Sequence, residues 1–471
     1  MIYIDKKSMI PKYLQIYEQI KKEILNGTMQ QEQRIFSSRE LAQVLGVSRN
    51  TVNSAYAQLE AEGYIYPKRG VGFCVIKVPQ IANGISHKVQ EKTKCIQKES
   101  FYKQKVKYEL TNSSHTSDLF PKSIWKKCTL ESIDRLEQEA KLTEFQDKQG
   151  ELYLRQNLLK YLKRIRGVAC DESQIVITCG FQQSLEYVCN ILSDTGNKIM
   201  MEEPGYHKAR VLFEHSGYLI GTVPVDRNGL CVDKLSYESN VSALYTTPSH
   251  QFPTGVTLTI DRRYELLSWA QKHGVYILED DFDSEQRFYA KPVPSLQSID
   301  RYGNVIYFGT FSKALSPSIR MGYMILPPAL IEKYHKRYDE YNATVPVLNQ
   351  YIIGRMLESG LYDKHIRRLN QVFKKRLEAF HIAFENISNH IQLVSNGTGQ
   401  YFLLHFSQET SQEVLIAKAL EQGVRVYSTM KFWQDQAECP PNTLFLGLSK
   451  ISIEEIPDCV NRLQKAWDAW L

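Results

Sequence analysis

Apolar residues recur at helical spacing from Pro11 to Asn26, at Leu14, Ile16, Tyr17, Ile20, Ile24 and Leu25, and Asn26-Gly27 supplies a stop. A second helical run opens at Ser37-Ser38-Arg39-Glu40, where a serine and a glutamate in the first turn make a capping arrangement, and continues through Leu41, Ala42 and Leu45 to Gly46. Gly46-Val47-Ser48 is a tight turn. Ser48 then caps a third run, Arg49 to Glu60, with Val52, Tyr56 and Leu59 facing inward and Arg49, Asn50, Thr51 and Asn53 left outside. After Gly63 the period drops to two. Tyr64-Ile65-Tyr66, a turn from Pro67 to Gly72 and Phe73-Cys74-Val75-Ile76 predict a hairpin whose tip carries Lys68, Arg69 and Gly70.

Three helices and a basic hairpin in this order predict a winged helix-turn-helix. The third helix would enter the major groove with Arg49, Asn50 and Thr51 at its N-terminus, while Ser38, Arg39 and the wing residues Lys68, Arg69 and Gly70 reach the DNA backbone or minor groove. For any one of these residues a solvated polar face is the plainer alternative.

Downstream the pattern changes twice. The stretch Gln90 to Ser100 is polar and lysine-rich with no apolar face, so residues 79–107 read as a linker between a DNA-binding domain at 1–78 and a large domain at 108–471. In the large domain, apolar runs at Gln174–Thr178, Lys198–Met201, Ala243–Tyr245, Val275–Leu278 and Val305–Phe308 alternate with helical stretches. That alternation predicts an α/β fold built on a mostly parallel sheet, with ligands beyond the carboxyl ends of its strands.

Charge supports the division. Residues 1–105 hold 17 Lys and Arg against 9 Asp and Glu, whereas the remainder holds 41 against 43, so the excess behind the net +6 belongs to the first quarter. A basic head on a near-neutral body suits a polyanion partner. Nine cysteines without a Cys-x-x-Cys pair argue against a disulfide framework or a metal knuckle, and no window approaches a membrane span. A reducing cytoplasm is the expected compartment.

The polar motifs fall where the predicted strands end. Lys313 follows Val305-Ile306-Tyr307-Phe308 in the string Thr310-Phe311-Ser312-Lys313, and Asp280 closes Val275-Tyr276-Ile277-Leu278-Glu279. Pyridoxal phosphate needs a lysine for its Schiff base, an anion for its pyridine nitrogen and several phosphate donors. Lys313 and Asp280 fill the first two roles. Ser312, Arg320 and the Gly180-Phe181 junction between strand and helix offer the donors, and Tyr206 offers a ring against the cofactor face. Singly, Lys313 reads as a surface lysine, Arg320 as a rim ion pair and Asp280 as a helix cap; jointly they point to the cofactor.

With these motifs in view, Pro11 to Ile76, with Ser-Arg-Glu-Leu-Ala and Val-Ser-Arg-Asn-Thr-Val, resembles the GntR-type DNA-binding domain. The part from Asp118 onward resembles the fold type I aminotransferases. Together, and through Glu279-Asp280-Asp281-Phe282-Asp283-Ser284-Glu285 and Thr247-Pro248-Ser249-His250-Gln251-Phe252-Pro253-Thr254-Gly255, the chain resembles the MocR (GabR-like) regulators. The resemblance implies a cytoplasmic regulator that binds operator DNA, forms a head-to-tail homodimer and uses pyridoxal phosphate to sense an amino compound or the cofactor itself. Two positions depart from it. Phe282 stands where relatives carry a tyrosine to the cofactor's ring oxygen, and Asn442–Leu448 lacks the late-strand arginine that holds a substrate carboxylate in catalytic aminotransferases. Lys208 and Lys431 are the nearest substitutes, although lysine lacks the planar fork of arginine. The expectation is a regulator rather than a turnover enzyme; the alternatives are an active aminotransferase with a DNA-binding head, and a body that only dimerises.

Overall fold

The structure, a computed structural model, describes residues 2–77, 106–112, 116–237, 239–288, 293–385, 387, 390–395, 397 and 399–470. The chain forms two compact units, Met1–Lys103 and Gln104–Leu471. Most of the expected linker lies outside the described residues. Its last residue, Lys107, already belongs to the second unit: its amide donates to the Gly423 carbonyl at 2.8 Å and its amine pairs with Asp458 at 2.8 Å.

In the first unit, helices Lys12–Leu25, Ser38–Leu45 and Arg49–Ala61 precede a hairpin of Ile65–Lys68 and Gly72–Val75. Local chemistry fixes each boundary. Ser37 and Glu40 form a reciprocal capping box, Gly46 takes the left-handed conformation at φ 62° to end the second helix, and Ser48 accepts the Thr51 amide at 3.2 Å. Ile16, Tyr17, Ile20, Val52, Ala55, Tyr56 and Leu59 pack into one core, whereas Leu25 faces solvent. Arg34 bridges to Cys74, adding a short third edge to the hairpin.

The second unit is built on an eight-stranded sheet in the order Ile175–Thr178, Gly322–Ile325, Val305–Thr310, Tyr276–Asp280, Val241–Thr246, Lys198–Glu203, Leu219–Asp226, Gly229–Leu230. The five central and outer strands from Val305–Thr310 to Leu219–Asp226 run parallel, and Gly322–Ile325 runs antiparallel to both of its neighbours. Because it reverses direction, its start lies beside the ends of the strands flanking it: Gly322 pairs with both Thr310 and Thr178. One edge of the sheet therefore collects Gly180, Ser312, Lys313 and Arg320, with Asp280 one strand further along, opposite Phe308.

A smaller antiparallel sheet, Ile391–Val394, Tyr401–Phe406, Thr443–Gly447 and Tyr427–Ser428, shares a core with helices Leu361–Glu385, Gln412–Glu421 and Ile456–Trp467. Tyr108–Glu109 pairs in parallel with Val424–Arg425 and begins this unit. Among the described residues every cysteine is free, and no helix is long and apolar enough to cross a membrane.

Candidate functional site

At the sheet edge the Lys313 amine is buried and donates to the backbone carbonyl of Asn112 at 2.9 Å. Burial lowers its pKa to about 8; Asp283 and Asp280 oppose that shift and Lys208 adds to it. Its carbonyl is held by the amides of Gln286 at 3.2 Å and Gln400 at 3.0 Å.

Asp280 Oδ2 accepts the Tyr245 hydroxyl at 2.5 Å, while Oδ1 is buried with no partner among the described residues. Burial pushes this carboxyl up to about 8; Asp281, Asp283 and Glu202 add to the rise, and the Tyr245 hydrogen bond opposes it. Ser312 Oγ is likewise buried and without a partner among the described residues. Two polar atoms have thus been taken out of water and left for something else to satisfy. They belong to the residues suited to a pyridine nitrogen and a phosphate, so the donor set fits pyridoxal phosphate.

The remaining predicted residues surround this point. Gly180 caps the helix Phe181–Ile191 at φ 91°, a conformation that favours glycine, and a Cβ there would stand 2.9 Å from the Arg320 guanidinium, which would have to shift. Arg320, itself at φ 49°, donates to the Cys179 carbonyl at 3.3 Å and leaves its guanidinium exposed at the helix N-terminus. The Phe181 ring lies 6.2 Å from Tyr206 and 5.6 Å from Phe308. Tyr206 has a hydroxyl raised by burial and by Asp280, and lowered by Arg320.

Lys208, the second residue of the helix His207–His215, and Lys431 feel one another: burial and Lys208 lower Lys431, and Lys208 also acts on Lys313. Arg210 secures the turn carrying Lys431 by donating to the carbonyls of Lys431 at 2.8 Å and Trp433 at 3.2 Å. The late strand Thr443–Gly447 presents Leu444, Phe445 and Leu446, with no arginine. Phe282 packs against His250 and Phe252, each at 6.1 Å.

The pairings of several residues around the site cannot be read from sequence spacing. Arg166 makes a two-pronged pair with Asp281 at 2.7 and 2.9 Å and donates to Ser249 at 2.6 Å. Burial, the largest single influence, would raise the Asp281 carboxyl, but the Arg166 charge together with hydrogen bonds from Tyr307, Ser284 and Arg166 holds the group below the usual range. Glu279 accepts the amides of Leu296 and Gln297 at 2.7 and 2.9 Å, and Glu202 gathers Thr246, Thr247 and Gln251. His250 lies 2.6 Å from Asp283 through Nδ1. The acidic string 279–283 is therefore divided: Asp280 faces the cleft, whereas its neighbours Glu279 and Asp281 brace the scaffold.

On the head, Arg39, Arg49, Asn50, Arg69 and Gly70 are exposed, and Ser38 and Thr51 are half-buried. Arg49 Nε reaches Ser38 Oγ at 3.4 Å, which brings the second and third helices to one polar surface. Lys68 is engaged elsewhere: its amine pairs with Glu32 at 3.0 Å, and Tyr66 donates to the same oxygen at 2.6 Å.

A large α/β body of aminotransferase type, joined to a winged helix-turn-helix, is the class of protein that this fold and site define. The aminotransferase class I and II family matches residues 115–434, and the gntR family of bacterial regulatory proteins matches residues 12–75. An HTH-type transcriptional regulator of Bacillus subtilis, YhdI, is 34% identical over 99% of this chain and 97% of its own. A probable rhizopine catabolism regulatory protein of Rhizobium meliloti, MocR, is 28% identical over 99% and 96%. The crystal structure of a Pyrococcus horikoshii kynurenine aminotransferase superposes with a TM-score of 0.71 at 25% identity, covering 79% of this chain and 92% of that one. The chain belongs to the MocR-type, GntR-headed family of HTH transcriptional regulators with an aminotransferase class I and II body.

Proposed function

We propose that this regulator binds pyridoxal phosphate at Lys313 and senses an amino compound, or the cofactor itself, there. The observation that carries the reading is the pair of buried atoms awaiting partners, Asp280 Oδ1 and Ser312 Oγ, on the same sheet edge as a buried lysine amine. When bound, pyridoxal phosphate supplies a carbonyl that condenses with primary amines. Asp280 offers Oδ1 to the ring nitrogen. Ser312, Arg320 and the amide end of the helix that Gly180 opens receive the phosphate, with Phe181 and Tyr206 as walls. A lysine pKa near 8 leaves a useful neutral fraction of the amine, the nucleophilic form, at cellular pH.

Lys208 and Lys431 are suited to an anionic group on the effector. The hydrogen bond from Lys313 to Asn112 would distinguish two states, because an amine engaged by the cofactor's carbonyl would have fewer hydrogens to donate to it. Asn112 follows Lys107 and Tyr108 closely in sequence, where the chain enters the body, so the difference would fall on the segment that follows the linker. A homodimer is suited to the uncovered apolar side chains Leu130, Leu142, Phe145 and Leu152.

The test is a titration of purified protein with pyridoxal phosphate, then with a panel of amines, paired with binding to the gene's own promoter. A borohydride-sensitive visible chromophore attached at Lys313 is expected, and Lys313→Ala should keep DNA affinity but lose the response to the ligand. Absence of the chromophore, or an unchanged response in Lys313→Ala, would refute the proposal.

A further inference from the structure

His250 and Asp283 form a buried pair that the cofactor residues leave unexplained. They lie 33 positions apart, at the end of the Val241–Thr246 segment and beyond Tyr276–Asp280, yet Nδ1 and Oδ2 are 2.6 Å apart. A carboxylate oxygen only accepts, so Nδ1 carries the hydrogen and donates it. The imidazole is fixed in its plane: Phe282 and Tyr401 stack with it at ring distances of 6.1 and 5.3 Å, with interplanar angles of 23° and 22°.

Gly399 closes over the pair. A Cβ there would come within 2.4 Å of His250 and 2.9 Å of Asp283. The neighbouring chain also holds Lys313, because the side-chain amides of Gln400 and Gln286 both donate to its carbonyl, and the backbone amide of Gln286 donates to the carbonyl of Asp283 at 2.8 Å. These contacts fix one carboxylate, Asp283, whose charge acts on the buried Lys313 amine.

We infer that His250 and Asp283 act as a positioning unit that holds a proton on Lys313 Nζ, with the histidine aiming the carboxylate and the carboxylate stabilising the charged nitrogen. Other groups bear on the same point. Among the described residues, Asp280 and Lys208 also act on Lys313, and the carbonyl of Asn112 accepts from it. Asp283 is the strongest opposite charge among them, and it is itself felt by Arg287, Tyr401 and Asp280. The inference rests on the pyridoxal phosphate reading above.

The experiment follows the visible spectrum of the full-length, cofactor-loaded protein against pH, in wild type, Asp283→Asn, His250→Phe and His250→Asn. Removing a stabilising negative charge lowers the pH at which the nitrogen gives up its proton. Asp283→Asn is expected to lower the midpoint by about one to three units, and His250→Phe to lower it by less. His250→Asn places an amide donor where Nδ1 stood and should restore the wild-type midpoint. Midpoints that stay put in Asp283→Asn and His250→Phe, or that move upward, overturn the inference. If a variant does not fold, the pH dependence of the condensation rate of the others with pyridoxal phosphate reports the uncondensed Lys313 amine, whose midpoint should shift in the same direction; a midpoint that stays put or rises overturns the inference. A wild-type protein without any visible band would instead remove the cofactor reading itself.

Discussion

Replacing Asp280 with asparagine should alter how the stability of the cofactor-free chain depends on pH. Asp280 is fully buried, with one oxygen on Tyr245 and the other without a partner among the described residues. Burial, reinforced by Asp281, Asp283 and Glu202 against the Tyr245 bond, raises its pKa from 3.8 to about 8. A carboxyl raised in the folded state binds its proton more tightly there than in the unfolded chain, so stability falls as pH climbs from the unfolded value toward the folded one. By pH 7 the accumulated cost is about 4 kcal/mol. Asparagine does not titrate and escapes that cost, but its amide nitrogen, placed at the Oδ1 position, lacks an acceptor and loses about 1–3 kcal/mol. The two proteins should therefore be about equally stable near pH 5. Near pH 7 the variant should be the more stable by about 1–3 kcal/mol, the gap widening by up to about 1.4 kcal/mol per unit of pH between them. Urea unfolding of both chains in parallel across this range measures the gap directly. Stability curves that remain parallel would show that Asp280 is not held in an ionisation-averse site. Pyridoxal phosphate should reverse the ranking, since wild type alone can hold a proton on the ring nitrogen.

Ser312→Ala should leave the cofactor-free chain as stable as before or slightly more so, because an unsatisfied hydroxyl is removed, while cofactor affinity falls by about 1–2 kcal/mol; equilibrium titration monitored by absorbance separates the two effects. On the head, Arg69→Ala should weaken operator binding and flatten its salt dependence by about one phosphate contact. Lys68→Ala should do so less, since that amine is already paired with Glu32. Fluorescence anisotropy at several salt concentrations would reverse this order if the Glu32 pair opens on DNA.

Much of this arrangement could be read from the sequence, and the exceptions have common causes. The head was legible because its boundaries are set by local devices, Ser37 with Glu40, the left-handed Gly46 and Ser48, each within four residues of what it caps. The strands were legible as apolar runs, and the site as the polar residues that end them. What sequence spacing does not carry is which strand ends lie side by side. Gly322–Ile325, four residues long and reversed, brings Arg320 beside Gly180, and no periodicity announces it. His250 with Asp283 and Arg166 with Asp281 are pairings across strands and loops, and Asn112 contributes a backbone carbonyl, which leaves no trace in residue type. Within the acidic string, the sequence could not distinguish the cleft-facing Asp280 from the bracing Glu279 and Asp281.

The meeting of Thr178, Thr310 and Gly322 on one sheet edge also sets an order of events in synthesis. Gly180 leaves the ribosome long before Arg320, and neither has its partner until Gly322–Ile325 has been made and inserted between the two older strands. No shortened nascent body can bring Gly180, Ser312 and Arg320 together. The helix-turn-helix and its wing, by contrast, are complete by Val75 and contain their own core. Domains generally fold as units, N-terminal first, as they are made. This regulator therefore acquires its helix-turn-helix head before its aminotransferase-like body.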